Sequence, residues 1–368
     1  MQLPYQLEDI SYTITEYCPG PCRYCSIWKL PDRRPEELTP AELDSVFSSK
    51  HLDLKKVHLT GGEPHMSDTY FDVVDSLYKY HEGVVIDSPV TGWFPERHIE
   101  VAKYVLEKCP IYRVDISLDG DEETNGKIRL RKDGFKLSMK TIEELQKLKG
   151  VVLRLQFTIY KENHHLIEWV YNFAKKLGVG LYLGYGRYNP QRYRNAKENL
   201  ENKELSRESF IWTDEELKRI DEQLVAIGYD KGRYRSKYLL QKAVYDGEKI
   251  DFDCFMGRRN IDIDPYGNLY PCLLWLDSLH MGNIRESGSF DNALESKKAL
   301  NVLDMIENKV CHPECLYTCA NKMNLINPHI PAVGMIQYQG KYGYIFSDID
   351  VIPIRPWWYN EYKEKGII

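Results

Sequence analysis

No stretch of this 368-residue chain approaches the ~18 consecutive apolar residues that a membrane-spanning helix needs. The opening MQLPYQLEDISYTITEYC has no basic segment leading into an apolar core, so a secretory signal is also missing, and a cytoplasmic protein with no membrane partner is expected. Positive charge is not in excess: 49 Lys and Arg stand against 55 Asp and Glu, a formal net charge of −6. Nothing in that balance draws the chain to a polyanion, and no nucleic-acid partner is expected. There is no internal repeat and no low-complexity tract. What remains is a chain long enough for one large domain and a smaller one.

Cysteine is scarce over most of the length and concentrated where it occurs. Cys18, Cys22 and Cys25 sit close together, and Cys254, Cys272, Cys311, Cys315 and Cys319 gather towards the other end. Cys109 stands alone and reads as a small buried apolar residue at a helix end. In a reducing compartment the rest are metal ligands or catalytic thiols rather than disulfides. Thiolates take zinc, copper(I) or iron–sulfur clusters. A structural zinc site wants four ligands, often as paired Cys-x2-Cys units, whereas TEYCPGPCRYCSIW offers three. Three cysteines can hold three irons of a cubane and leave the fourth open to a ligand.

From residue 10 to about 186, β-type runs alternate with amphipathic helical ones. The β-type runs are ISYTIT (10–15), KKVHLT (55–60), GVVIDS (83–88), YRVDISLD (112–119), VVLRLQFTIY (151–160) and GLYLGYG (180–186). Thr39-Pro40-Ala41-Glu42 is a capping box with proline at the first helical position, and a second box pairs Thr213 with Glu216. Repeated βα units imply a parallel α/β sheet, a partial barrel or an open doubly wound sheet, with ligands at the carboxyl ends of the strands. CPGPCRYC follows the first strand, GGEP (61–64) the second and DGDEETNGKIR the fourth, so all three face one rim.

This pattern resembles the radical SAM superfamily: Cys-x3-Cys-x2-Cys after the first strand, with an aromatic, Tyr24, just before the last cysteine. The resemblance implies a partial (β/α)6 TIM-like barrel and a [4Fe-4S] cluster on Cys18, Cys22 and Cys25. The open iron of that cluster would chelate S-adenosylmethionine (SAM), whose reductive cleavage gives a 5′-deoxyadenosyl radical that abstracts hydrogen from a substrate. An electron donor such as flavodoxin or ferredoxin is implied. Gly61, Gly62, Glu63 and Pro64 match the motif that meets the SAM amino group, and Ser117, Asp119 and Arg129 the positions that serve its carboxylate, with Arg131 two residues from Arg129. Thr158 and Asn163 match positions near the ribose or methionine, and a helix cap would explain Asn163 as well.

The later cysteines sit in a different setting. Cys254 leads through NIDID and a Pro-Tyr-Gly-Asn turn to Cys272, a hairpin offering one thiolate from each side. The segment resembles the SPASM/twitch extension, including GNI (282–284), and five cysteines suit one auxiliary [4Fe-4S] cluster. Cys254 and Cys272 are the first ligands, Cys315 and Cys319 the favoured others, and Cys311 the reserve; ligand type alone does not separate zinc from iron. Related sulfatase-maturing enzymes place an aspartate directly after the second hairpin cysteine. Here that residue is Leu273, with Asp277 nearby and no catalytic base identified.

The expected division is a radical SAM core (1–200), a helical linker (201–250), a small α+β auxiliary-cluster domain (251–320) and an aromatic-rich tail (321–368) with Trp357, Trp358 and Tyr359. The expected function is hydrogen abstraction from a small polar metabolite, with the auxiliary cluster transferring electrons. The alternative is a maturase acting on a peptide, which the basic, tyrosine-rich RYNPQRYRNAK and KGRYRSKY would serve.

Overall fold

The computed structural model describes residues 5–186, 188–190, 195–228, 254, 256–273, 277–308 and 310, and the backbone of two strands, 336–340 and 343–347. The linker residues 229–253, Cys311, Cys315, Cys319 and the Trp357–Trp358–Tyr359 run lie outside the described residues.

All six β-type runs are strands: β1 (Leu7–Thr15), β2 (Leu52–Gly61), β3 (Val85–Val90), β4 (Tyr112–Ser117), β5 (Val151–Ile159) and β6 (Gly180–Tyr185). They pair in parallel and in chain order. Between them run α1 (Pro40–Phe47), α2 (Tyr70–Tyr80), α3 (Pro95–Lys108), α4 (Glu122–Arg129), α5 (Gly134–Leu145) and α6 (Ile167–Leu177). The Thr39–Glu42 box is formed, each side chain bonded to the other residue's backbone N–H, which satisfies donors that the first turn of α1 would leave open. Cys109 is buried at the C-terminus of α3. The whole is the partial (β/α)6 barrel.

Each strand has one apolar face. Ile10, Tyr12 and Ile14, Val57 and Leu59, Val114 and Ile116, and Leu155 and Phe157 are buried in a single core with the helices. Parallel strands covered on both sides usually read as continuous apolar runs. These alternate, and the residues between are Asp9, Ser11 and Thr13, Lys56 and His58, Arg113, Asp115 and Ser117, and Arg154, Gln156 and Thr158. The face turned away from the helices is therefore polar.

After β6 come α7 (Ala196–Glu201) and α8 (Asp214–Ala226), the latter capped by the second box and packing Leu217, Ile220 and Leu224 into the core beside α6. The later hairpin joins the sheet of the barrel. Its first strand, β7 (Asn260–Ile263), adds to the open edge of β1 in parallel, from Asp9↔Asn260 to Tyr12↔Ile263. β8 (Asn268–Tyr270) and β9 (Gly282–Asn283) continue the sheet antiparallel. Arg259 clamps the junction by donating to Glu8, Nε to Oε2 at 3.0 Å.

Candidate active site

The loops after β1 and β2 lie on one another. Gly62 N–H donates to Thr15 O at 2.8 Å and Glu63 N–H to Tyr17 O at 2.9 Å. Gly61 has φ +144°, and a Cβ on Gly62 would stand 2.2 Å from Tyr17 O and 2.9 Å from Cys18 Cβ, so no other residue fits this crossing. The Gly-Gly pair thus presses Glu63 and Pro64 against the cysteine loop. Glu63 is fully buried; one oxygen accepts from Thr91 N–H (2.9 Å) and Thr91 Oγ1 (2.5 Å), and Oε1 has no partner. Burial pushes its carboxyl up to about 7, against the pull of the Thr91 bonds. A carboxylate fixed on one side with a bare acceptor on the other suits a cationic group.

Within the loop, Cys18 and Cys25 pack with Leu30 against buried Ile27 and Tyr270. Tyr270 is two residues before Cys272, so the hairpin meets the first cysteine set directly. Arg129 Nη1 lies 4.0 Å from Cys22 Sγ, while its Nε donates to Asp119 Oδ2 at 2.6 Å. Burial pushes the Cys22 thiol up to about 11 against the Arg129 guanidinium, and it raises the Cys18 thiol too. Without metal these are protonated thiols, so a metal must displace protons to bind.

Asp119 organises the strand ends. Its Oδ1 accepts from Thr158 N–H at 3.0 Å. Asn163 donates to Asp119 O and Thr158 O, both at 2.9 Å, and accepts from Tyr160 N–H at 2.7 Å. Its amide ties β4 to β5 and makes no helix-capping bond. Arg131 turns elsewhere, paired with Asp133 and stacked over Trp93 at 5.0 Å. Ser117 ends β4 on the polar face. Tyr24 stacks on Tyr160 (centroids 4.0 Å apart) and donates to Glu162 at 2.5–2.6 Å. Glu162, Tyr160 and Thr91 were not singled out from sequence; the charged run directly after β5 was the available signal for the first two.

Three thiols with no fourth on the loop, a buried carboxylate with one bare oxygen and a paired arginine at the same rim fit an open iron–sulfur cluster with a zwitterionic ligand. Residues 12–174 match the radical SAM superfamily, and 254–320 match an iron–sulfur cluster-binding domain, SPASM. The chain thus contains a radical SAM domain and a SPASM domain. Its cofactors are accordingly a [4Fe-4S] cluster, SAM and an auxiliary iron–sulfur cluster. It is 22% identical over 300 residues to the GTP 3′,8-cyclase of Campylobacter fetus subsp. fetus (strain 82-40), covering 78% of this chain and 87% of that one. It is 23% identical over 303 residues to mycofactocin maturase MftC of Mycolicibacterium smegmatis (strain ATCC 700084 / mc(2)155), covering 80% and 71%. Among solved structures, native anSMEcpe with bound AdoMet and the Kp18Cys peptide superposes with a TM-score of 0.56 at 15% identity, over 80% of this chain and 82% of that one.

In the SPASM part, Cys254 and Cys272 are both half-buried and flank the β7–β8 hairpin. Leu273 accepts from Asn189 Nδ2 through its carbonyl at 3.4 Å, and Asp277 is exposed. No described helix is long and apolar enough to cross a membrane.

Behind the radical SAM motif, His65 follows Pro64 into a fully buried polar chain. His65 Nδ1 meets His98 Nδ1 at 2.8 Å, His65 Nε2 meets Tyr112 Oη at 2.6 Å, and Tyr70 links Tyr112 to Ser88, each at 2.9 Å. Burial, with Arg97 pressing the same way, lowers both imidazoles, His98 to about 3. The unfolded chain takes up these protons near pH 6.5 and the folded one does not. Stability is thus complete above pH 6.5 and falls as pH drops towards 3, by about 1.4 kcal/mol per pH unit for each histidine. Urea denaturation of wild type and His98→Gln at pH 7 and pH 5 should show the variant losing about 2 kcal/mol less between the two pH values; equal losses contradict the assignment.

Proposed function

We propose that this radical SAM protein abstracts hydrogen from a small polar metabolite and uses its SPASM cluster to accept an electron afterwards. In this reading Cys18, Cys22 and Cys25 hold the first cluster, and Gly61 to Pro64, Ser117, Asp119, Arg129 and Thr158 surround SAM, with Tyr24 and Asn163 shaping the rim. Cys254 and Cys272, with two of the last three cysteines, hold the auxiliary cluster. When bound, the cluster and SAM supply one electron and a 5′-deoxyadenosyl radical. The protein's own part is to fix the ammonium against Glu63 Oε1 and the carboxylate against the Arg129 guanidinium, and to keep the rim closed through the Tyr24–Glu162 and Asp119–Asn163 ties. The division into a core of 1–200 and a cluster module of 251–320 belongs to the same reading.

The observation that carries the metabolite reading is the polar inner face of the barrel, where Ser11, His58, Gln156 and Tyr182 alternate with core residues. Such a wall offers hydrogen-bonding partners to hydroxyls and charges. The test is deuterium transfer: deuterated metabolite fractions and deuterated peptides are offered in turn, and label in 5′-deoxyadenosine identifies the donor. Transfer from peptides alone would sink this reading. The second reading, peptide modification, is favoured by the peptide bound in anSMEcpe and by the maturase relative.

Arg129→Ala should weaken SAM binding about ten- to a hundredfold, the worth of one charge-assisted contact, with iron content unchanged. An unaltered dissociation constant removes Arg129 from the carboxylate site.

A further inference from the structure

The β7–β8 hairpin of the SPASM part grips the first cysteine loop from both ends. Its turn, Pro265 to Gly267, meets the chain before the loop and again after it. Tyr266 Oη donates to Glu16 Oε2 at 2.9 Å, two residues before Cys18. Arg33, beyond the last cysteine, stacks over the same ring at 3.9 Å, and Leu38 N–H donates to Pro265 O at 2.9 Å. Gly267 has φ +82°, and a Cβ there would stand 3.0 Å from Leu38 Cδ2, so the turn and the loop's exit are in contact.

The second strand of the hairpin brings a side chain to the thiols themselves. Tyr270 pairs with Asp262, and Asp262 with Ser11 on β1. Residues directly opposite one another share a face of the sheet, so Tyr270 stands on the inner side, beside the strand that feeds the cysteine loop. It is fully buried. It does not belong to the main core: with Ile27 it makes a small separate one, and the half-buried residues packed on that core are Cys18, Cys25 and Leu30. Two buried residues contribute little to the stability of a chain this size. What sets this core apart is that two of its neighbours are thiols of the first set.

We infer that Tyr270 is the C-terminal module's wall for the first cluster, and that by keeping water from Cys18 and Cys25 it holds the potential of that cluster low. This rests on the assignment of Cys18, Cys22 and Cys25 to the first cluster. Burial and hydrogen bonding at the sulfurs are the levers by which a protein sets such a potential. The sign follows from charge. A cluster core held by three thiolates is already anionic, and reduction adds one more negative charge. Water solvates the more highly charged form better, so a dry wall disfavours reduction and a wet one eases it.

Potentiometric titration followed by electron paramagnetic resonance, on the anaerobically reconstituted full-length protein, tests the wall. The first cluster's signal is the one that changes when SAM is added, and potentials are read before the addition. Tyr270→Gln, which keeps the bulk, and Tyr270→Ser should each shift the reduction equilibrium at least about tenfold towards the reduced form, about 59 mV upwards for one electron. Tyr270→Phe and Tyr270→Leu stay apolar and should remain within about threefold of the wild type. A residue that only packs would lower the thermal midpoint of the variants and leave the potential where it was. The inference is overturned if neither polar variant shifts the potential, if the shift runs downwards, or if Tyr270→Phe moves it as far as Tyr270→Gln does. If the wild type has no SAM-sensitive signal, the cluster assignment fails and the wall with it, a failure that the iron content of the triple cysteine variant reports separately.

Discussion

Replacing Cys18, Cys22 and Cys25 together with alanine should lower the iron content of anaerobically reconstituted protein from about eight per chain to about four, and abolish SAM cleavage. The effect is expected to be complete because nothing else at that rim can substitute. Among the described residues the soft ligands at the crossing of the β1 and β2 loops are these three, and Glu63 is occupied on one oxygen by Thr91. The fold itself should survive, since the crossing is held by backbone bonds from Gly62 and Glu63 to Thr15 and Tyr17 rather than by the thiols. Unchanged iron or unchanged cleavage would mean that this loop is not the site of the first cluster.

Alanine at both Cys254 and Cys272 should do something different. With the auxiliary ligands gone, deuterium should still pass from substrate into 5′-deoxyadenosine, while the oxidised product falls by at least about a hundredfold, as expected when a step loses its electron acceptor. The first cysteine loop lies apart from these ligands in the chain and keeps its own partners, Arg129 beside Cys22 and Gly20 O beside Cys18. If label transfer vanishes together with product, the auxiliary site holds substrate and does not serve as an electron sink.

Much of this was legible in the chain because local rules and tertiary demands agree. Each β-type run became a strand, and both capping boxes formed, since side chain and backbone satisfy each other within four residues. β1 begins at Leu7, three residues before ISYTIT, because Glu8 and Asp9 look like loop residues until Arg259 and Lys56 are brought opposite them. The destination of NIDID on β1 was not legible at all; a parallel partner some 250 residues away leaves no local trace. Asn163 and Asp119 could be placed at the rim, but not that Asn163 bonds the backbone of Asp119 and Asp119 that of Thr158. YRVDIS and LRLQFT showed alternating charge, but the pairing of Arg154 with Asp115 follows only from those strands being parallel neighbours.

The pairing of β7 with β1 bears on how this protein can be cut. β1 carries the first cysteine loop at its end and is buried along its whole length, with β2 on one side and β7 on the other. A truncation before residue 254 would strip that flank and present Asp9–Tyr12 as a naked row of backbone donors and acceptors, a template for joining other chains edge to edge. Arg259 would leave with the missing piece and strand Glu8 beside it. The barrel is thus expected to be insoluble as an isolated fragment, and the C-terminal module doubles as the selvedge that keeps the sheet from unravelling.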